Sequence, residues 1–187
     1  MDKKYEFTGE TKDWNGHTIR RIRAVKTVAN VATGELGGWI EKEENLSQDG
    51  DAWVSDNAWV FGNAKVSDNA EVSDDAEVSD NAWVSGDAEV FGNAWVFGNA
   101  KVSDDAWVFG DAKVSGDADY VVFKNCWSSY RWFTYTRSNK MWKVGCFYGT
   151  GEELIKKAYA DSEISGRCYE AIVKAVETIE KAKGEMK

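Results

Sequence analysis

Twelve alanines stand six residues apart without a break from Ala52 to Ala118, and eleven valines keep the same step from Val54 to Val114. A period this strict decides architecture before composition does. In the unit Ala58-Trp59-Val60-Phe61-Gly62-Asn63, Ala58 and Val60 are two apart. On an extended chain they point to one side and Trp59 to the other. The pairs that close each unit, such as Gly62-Asn63 or Asp56-Asn57, carry turn chemistry. Gly adopts φ > 0 freely, and Asn and Asp tolerate it. Each unit therefore reads as a three-residue strand and a corner. A helix would need apolar spacing of three and four, without Gly or Asp-Asn in every turn. An ordinary meander would need longer strands. Short strands with a corner every six residues stack as a parallel solenoid.

The phrase resembles the hexapeptide repeat of left-handed parallel β-helices. There an aliphatic residue is followed four positions later by a small one, as Val60 is by Ala64 and Val84 by Ala88. The resemblance implies three hexapeptides per triangular coil, so that residues 51–118 make nearly four coils. At about 4.8 Å per strand the prism is roughly 20 Å tall. It implies a fold rather than a function, because the same fold hosts enzymes, scaffolds and ligand-binding proteins. The best-known members are acyltransferases with a histidine base on or near the coils. Here His17 is the single histidine, and it reads as a turn residue of an N-terminal hairpin. No Ser-His-Asp or metal constellation can be assembled around it. A carboxylate base stays open, since coil Asp and Glu are plentiful, but nothing singles one out. No catalytic residue, metal ligand or cofactor is named, and an acyltransferase is the weakest of the readings.

Composition bounds the rest. The 187 residues suffice for one large or two small domains. No apolar run approaches membrane-spanning length, and the start Met1-Asp2-Lys3-Lys4-Tyr5 does not read as a signal peptide. Cys126, Cys146 and Cys168 lack metal-ligand spacing and leave an odd thiol, which points to a reduced, cytoplasmic setting. The net charge of −9 is uneven, with fourteen acidic against three basic residues in 51–118. Corner aspartates in water are the preferred account of that acidity over a cation site, and it argues against broad nucleic-acid binding.

Three segments follow. Residues 1–50 read as a β cap and first coil, with Asn15-Gly16 turning a hairpin between Thr11–Trp14 and His17–Ala24. Leu36-Gly37-Gly38-Trp39-Ile40 leads into the first coil. The eight-residue step from Leu46 to Val54 makes a bulged corner near Gln48–Asp51. Residues 51–118 are the solenoid. Residues 119–187 read as a C-terminal α+β domain of three strands, at Asp119–Lys124, Tyr130–Arg137 and Met141–Tyr148, with two helices. Thr150-x-x-Glu153 is a capping box that opens the first helix. The second is expected from about Ser165 to Ala182, with Cys168, Ile172, Val176 and Ile179 on one face.

Outward residues of the solenoid sort into three faces. One carries Trp53, Glu71, Glu89 and Trp107, the next Trp59, Glu77, Trp95 and Lys113, and the third Lys65, Trp83 and Lys101. Exposed aromatic patches usually mark an interface, and proteins of the resembled fold commonly form parallel trimers. A homotrimer is therefore expected, with Trp59, Trp83, Trp95, Trp107, Phe97 and Phe109 at its contacts. An aromatic ligand stacked on Trp95 or Trp107 is the alternative use of these rings.

Chemistry is expected beyond the repeat. Alternation along Tyr130–Arg137 places Arg131, Phe133, Tyr135 and Arg137 on one face. Trp142, Val144 and Cys146 share a face that should pack on the helices. The opposite face would then present Arg131, Tyr135, Arg137 and Lys143, with Lys140 at the loop. Guanidinium forks bind phosphate and aromatic rings stack on bases. The Thr150 helix start adds free N–H groups. The set Arg131, Tyr135, Arg137, Lys140, Lys143 and Thr150 thus reads as a seat for a phosphorylated or nucleotide-like small molecule. Two alternatives stay open: Arg131 and Arg137 could pair with acidic residues across a subunit contact, and Gly149-Thr150-Gly151 could be only a strand–helix turn.

Beyond the coils, Tyr5-Glu6-Phe7-Thr8-Gly9-Glu10, the run from Leu36-Gly37-Gly38-Trp39-Ile40 through Ser47, and Tyr135-Thr136-Arg137-Ser138-Asn139-Lys140-Met141-Trp142 make the chain similar to phage- and prophage-encoded hexapeptide-repeat proteins. That resemblance implies work in the host cell cytoplasm. Small phage proteins include oligomeric sponges that sequester nucleotide signals of host defence. The leading expectation is thus a non-enzymatic homotrimer that binds such a ligand. A structural scaffold for a host protein partner is the second.

Overall fold

A computed structural model describes residues 3–116, 119–127 and 130–185. Its centre is a parallel β-solenoid of about four turns. Strands two residues long pair across steps of eighteen residues, which is three hexapeptides per coil. One face stacks β4 (Trp53–Val54), β7 (Glu71–Val72), β10 (Glu89–Val90) and β13 (Trp107–Val108). The second stacks β5 (Trp59–Val60), β8 (Glu77–Val78), β11 (Trp95–Val96) and β14 (Lys113–Val114). The third stacks β6 (Lys65–Val66), β9 (Trp83–Val84) and β12 (Lys101–Val102). The sorting by period is reproduced on all three faces. The strands are two residues rather than three, because the chain already turns after each valine.

The corners show why Asp or Gly opens each pair. Asp56, Gly62, Asp68, Asp74, Asp80, Gly86, Gly92, Gly98, Asp104 and Gly110 all take φ between 53° and 75°. The alanines and valines of the described coils form one core, each at most 1% exposed. Alanine fits where the chain bends and two walls converge; valine fills the wider space between.

At the lower end, β1 (Tyr5–Trp14) and β2 (His17–Ala24) form the hairpin about Asn15 and Gly16, both at positive φ. Next, β3 (Leu36–Ile40) pairs antiparallel with β2 and parallel with β5, so the hairpin extends the second face into a seven-stranded sheet. Tyr5 plugs the core from below, and its hydroxyl donates to the carbonyls of Glu43 and Leu46 at 3.0 and 2.9 Å.

The C-terminal sheet is antiparallel, in the order β15 (Tyr120–Lys124), β16 (Trp132–Thr136), β17 (Met141–Val144), β18 (Phe147–Gly149). It has four strands, not three. The stretch expected as one strand over Met141–Tyr148 folds back at Gly145, which sits at φ 53°. One side of this sheet packs on α1 (Gly151–Asp161) and α2 (Glu163–Glu185). The buried stripe of α2 centres on Val173 and Val176, flanked by Tyr169 and Ile172. Ile179, placed on that face by spacing, is 43% exposed.

The other side of the sheet seals the top of the solenoid. The last coil has no coil above it to accept its N–H groups. The Trp107 N–H donates to Thr134 Oγ1 at 3.1 Å and the Lys113 N–H to Ser138 Oγ at 2.7 Å. Tyr120 donates its hydroxyl to the Lys101 carbonyl at 2.9 Å. Covering an edge in this way removes a template for stray strand pairing.

Candidate functional site

The six residues expected to form a basic seat do not come together. Directly opposite residues of an antiparallel pair share a face. The pairing sets Tyr135 opposite Trp142, and Thr134 opposite Lys143. Tyr135 therefore turns into the helix-packed core beside Phe133, Trp142 and Val144, and Lys143 points the other way. Arg137 follows Tyr135 to the helix side, where its Nε donates to Glu180 Oε1 at 2.5 Å. The helix start at Thr150 is already filled. Glu153 accepts from the Thr150 N–H at 2.8 Å and from its hydroxyl at 3.0 Å. Glu152 adds a second carboxylate to the same turn. Lys140 is exposed in the β16–β17 turn at φ 57°. Arg131 is exposed and has no ion-pair partner among the described residues.

The rings expected at subunit contacts also divide. Trp59 packs with Ile19, Trp39 and Phe61, and Trp14 of the hairpin meets it edge-on at 5.4 Å. Trp107 and Phe109 are covered by the C-terminal sheet; Tyr148 meets Phe109 at 4.6 Å. Trp83 stays 44% exposed, its Nε1 donating to Ser67 Oγ. Trp95 stacks on Phe97 at 4.4 Å, and both are half-buried. The chain's own appended elements thus cover half of the set.

His17 has a structural role. Its Nδ1 lies 3.0 Å from Glu41 Oε1, and Glu41 Oε2 accepts from the Gly62 N–H at 2.7 Å. The pair braces the hairpin against the first coil.

A cleft of about 370 Å³ opens where the first solenoid face meets the C-terminal sheet. Glu89 and Trp107, neighbours on successive coils, line it from below. Asp87 and Asp105 line it at the corner, one coil apart. The sheet supplies Trp132 and Arg131, and Arg131 lies over Gly145, where a Cβ would stand 3.0 Å from its Cδ. Deep beside the cleft, Lys143 Nζ sits over the rings of Trp107, Phe109 and Phe91 at 5.1, 5.2 and 5.8 Å.

The electrostatics are those of a partly dry, acidic wall. Burial pushes the Glu89 carboxyl up, the Glu71 charge below it pushes further, and Lys143 pulls back. Burial lowers the Lys143 ammonium, partly offset by Cys146 and Glu89. The corner adds an anomaly. In the other columns an Asn side chain donates to the coil above: Asn57 to Asp75, Asn63 to Asn81, Asn81 to Asn99, Asn93 to Asp111. In this column Asn69 donates to Asp87 at 2.9 Å, but Asp87 then faces Asp105, and two carboxylates have no proton to share. Among the described residues, no three His, Cys, Asp or Glu side chains converge on a point that could hold a metal ion. The acids are spread along the cleft.

Periodicity sorted Glu89 and Trp107 onto one face, but Asp87, Asp105 and Trp132 drew no notice. One sequence signal pointed to them. In the corner column Asn69, Asp87, Asp105 one aspartate follows another eighteen residues on, whereas the columns from Asn57 and Asn63 hold an Asn in every such pair. A scan against protein-family models matches no family, and no curated protein matches the chain.

Proposed function

We propose that this chain is a non-enzymatic binding protein, with the solenoid as a rigid mount and the junction cleft as its ligand site. The cleft itself carries the reading: about 370 Å³ lined by two indoles and three carboxylates drawn from two structural units. Pockets at such junctions are the usual place for ligands. In finer detail the proposal is a left-handed, hexapeptide-type solenoid of the phage or prophage kind, acting in the host cytoplasm as a homotrimer. The eighteen-residue coil and the Val-to-Ala spacing support the hexapeptide assignment. The exposed ring of Trp83 and the half-buried Trp95–Phe97 stack, on two different faces, support prism-to-prism packing.

Sequestration of a nucleotide-like signal is the alternative use of the same cleft. Of the expected seat it draws only on Arg131 and the neighbouring Lys143, since Arg137 and Thr150 are engaged elsewhere. The scaffold reading draws on Trp83 and Trp95. Mass spectrometry of small molecules released from purified protein, followed by calorimetry with whatever is found, tests the proposal. Trp132→Ala should weaken binding at least tenfold, and Arg137→Ala should leave it unchanged. Binding indifferent to Trp132, or a stoichiometric protein partner with no small molecule, would sink it.

A further inference from the structure

We infer that the junction cleft takes an organic cation, an ammonium or guanidinium group, rather than an anion. The inference rests on the binding reading above and names its ligand class. Two independent observations carry it. The first is the acidic corner. Asp87, Glu89 and Asp105 line the cleft; Asn69 donates to Asp87 and Lys143 pulls on Glu89, but Asp105 accepts no hydrogen bond from the described residues. The stacked Asp87 and Asp105 repel one another at the strand spacing of about 4.8 Å. A cation lying between them relieves that repulsion. A flat guanidinium can also bond two carboxylates at once while its face rests on an indole.

The second observation is what the molecule already places on such rings. Its own ammonium groups occupy the aromatic clusters at both ends of the solenoid. At the top, Lys143 lies over the ring of Trp107 at 5.1 Å, against the wall of this cleft. At the bottom, a matching cleft of about 400 Å³ is built from Trp59, Glu77 and Asp75 of the coils with Trp14 and Lys12 of the hairpin. There Lys12 Nζ sits 3.8 Å from the Trp39 ring centroid and 5.7 Å from that of Trp59. The two clefts share one composition: a face Trp beside a face Glu, a corner Asp, an indole and one base from the appended sheet. The lower cleft holds two carboxylates and keeps a lysine of the chain over its rings. The upper cleft likewise has Lys143 over Trp107 and Lys124 over Trp132, at 5.1 and 4.9 Å, but it has a third carboxylate, Asp105, and Arg131 rests over Gly145. Rings over which the protein itself keeps ammonium groups, beside an acid such as Asp105 that accepts no hydrogen bond from the described residues, suit a cation from outside.

Calorimetry at low and physiological salt tests this with agmatine and cadaverine as free cations, an acetylated Gly-Arg-Gly amide as a side-chain cation, and AMP as the anion. The diagnostic variant is Asp87→Asn with Asp105→Asn. It keeps shape and fold, because Asn occupies that corner position in other coils, as at Asn69 and Asn93. Agmatine should bind, weaken with salt, and lose at least tenfold in affinity in the double variant, while circular dichroism stays unchanged. Agmatine without the peptide identifies a small metabolite as the source; equal binding of both identifies a protein side chain. AMP binding with the cations silent would overturn the cation and keep the binding site. Cation binding indifferent to the Asn pair would also overturn the assignment. Silence from every probe would remove the inference and the binding reading together.

Discussion

Gly37 and Gly38 show how closely single residues are held where the chain joins the solenoid. A Cβ on Gly38 would stand 2.7 Å from the Ala58 carbonyl oxygen and 2.8 Å from Val54 Cγ1. One on Gly37 would meet Ile22 and the Val54 carbonyl at 2.6 and 2.7 Å. β3 can lie against the first coil only without side chains here. Gly38→Ala should therefore cost about 1–3 kcal/mol by overpacking, read as a lowered urea midpoint with unchanged slope. Lys4 is the second such residue. It is fully buried, and its ammonium donates to the carbonyls of Ala52 and Gly50 at 2.7 and 3.4 Å. Burial first, with Lys26 adding to it, lowers its pKa to about 8 against Asp51 and Asp49, from 10.5 for the free group. The fold thus disfavours the charged form. That cost is fully present below pH 8 and fades as the pH rises toward 10.5. Tyr5, pushed up chiefly by burial, works the other way only above pH 10, where the unfolded phenol ionises. Between pH 8 and 10 stability should rise by roughly 2–3 kcal/mol on account of Lys4. Denaturant titrations across that window should show the rise in the native chain and a flatter profile in Lys4→Met.

At the scale of elements, the C-terminal sheet does two tasks with its two faces. Its helix side is apolar and is tied at one edge by Arg137 and Glu180, which are 18% and 30% exposed. Arg137→Ala should lower stability by about 1 kcal/mol. A double-mutant cycle with Glu180→Ala should assign that loss to the pair. Its solenoid side supplies the hydroxyls that satisfy the last coil. Thr134 is 2% exposed, and Thr134→Val keeps its shape while removing the acceptor of the Trp107 N–H. That should cost about 1–3 kcal/mol, as for any stranded buried donor. Hydrogen exchange at Trp107 should quicken while the coils around Val78 stay protected.

For the whole molecule, the two appended sheets close the two ends of the solenoid, and each covers rings that would otherwise face water. Of the six rings expected at subunit contacts, this leaves Trp83 and the Trp95–Phe97 stack. Sedimentation equilibrium should report three chains for the native protein. Trp83→Glu combined with Trp95→Glu should give one chain without loss of the coil circular dichroism. A monomeric native protein would end the trimer proposal and leave the cleft untouched.

The hexapeptide period determined the solenoid, its three faces, its corners and its core by itself, because each coil repeats one local rule and packs only on its neighbours. The Asn15-Gly16 hairpin and the Thr150 cap were legible for the same reason: their bonds close within a few residues. The register of β16 against β17 was not local. Alternation defines two faces of a strand, but only the pairing across the turn decides which residues share them. That pairing sent Tyr135 and Arg137 to the helices and Lys143 to the rings. It was also the tertiary structure that brought Trp132 and Arg131 over Asp87, Glu89 and Asp105, residues from separate repeats and a separate sheet. No spacing along the chain encodes a cleft that exists only where the solenoid face and the C-terminal sheet meet.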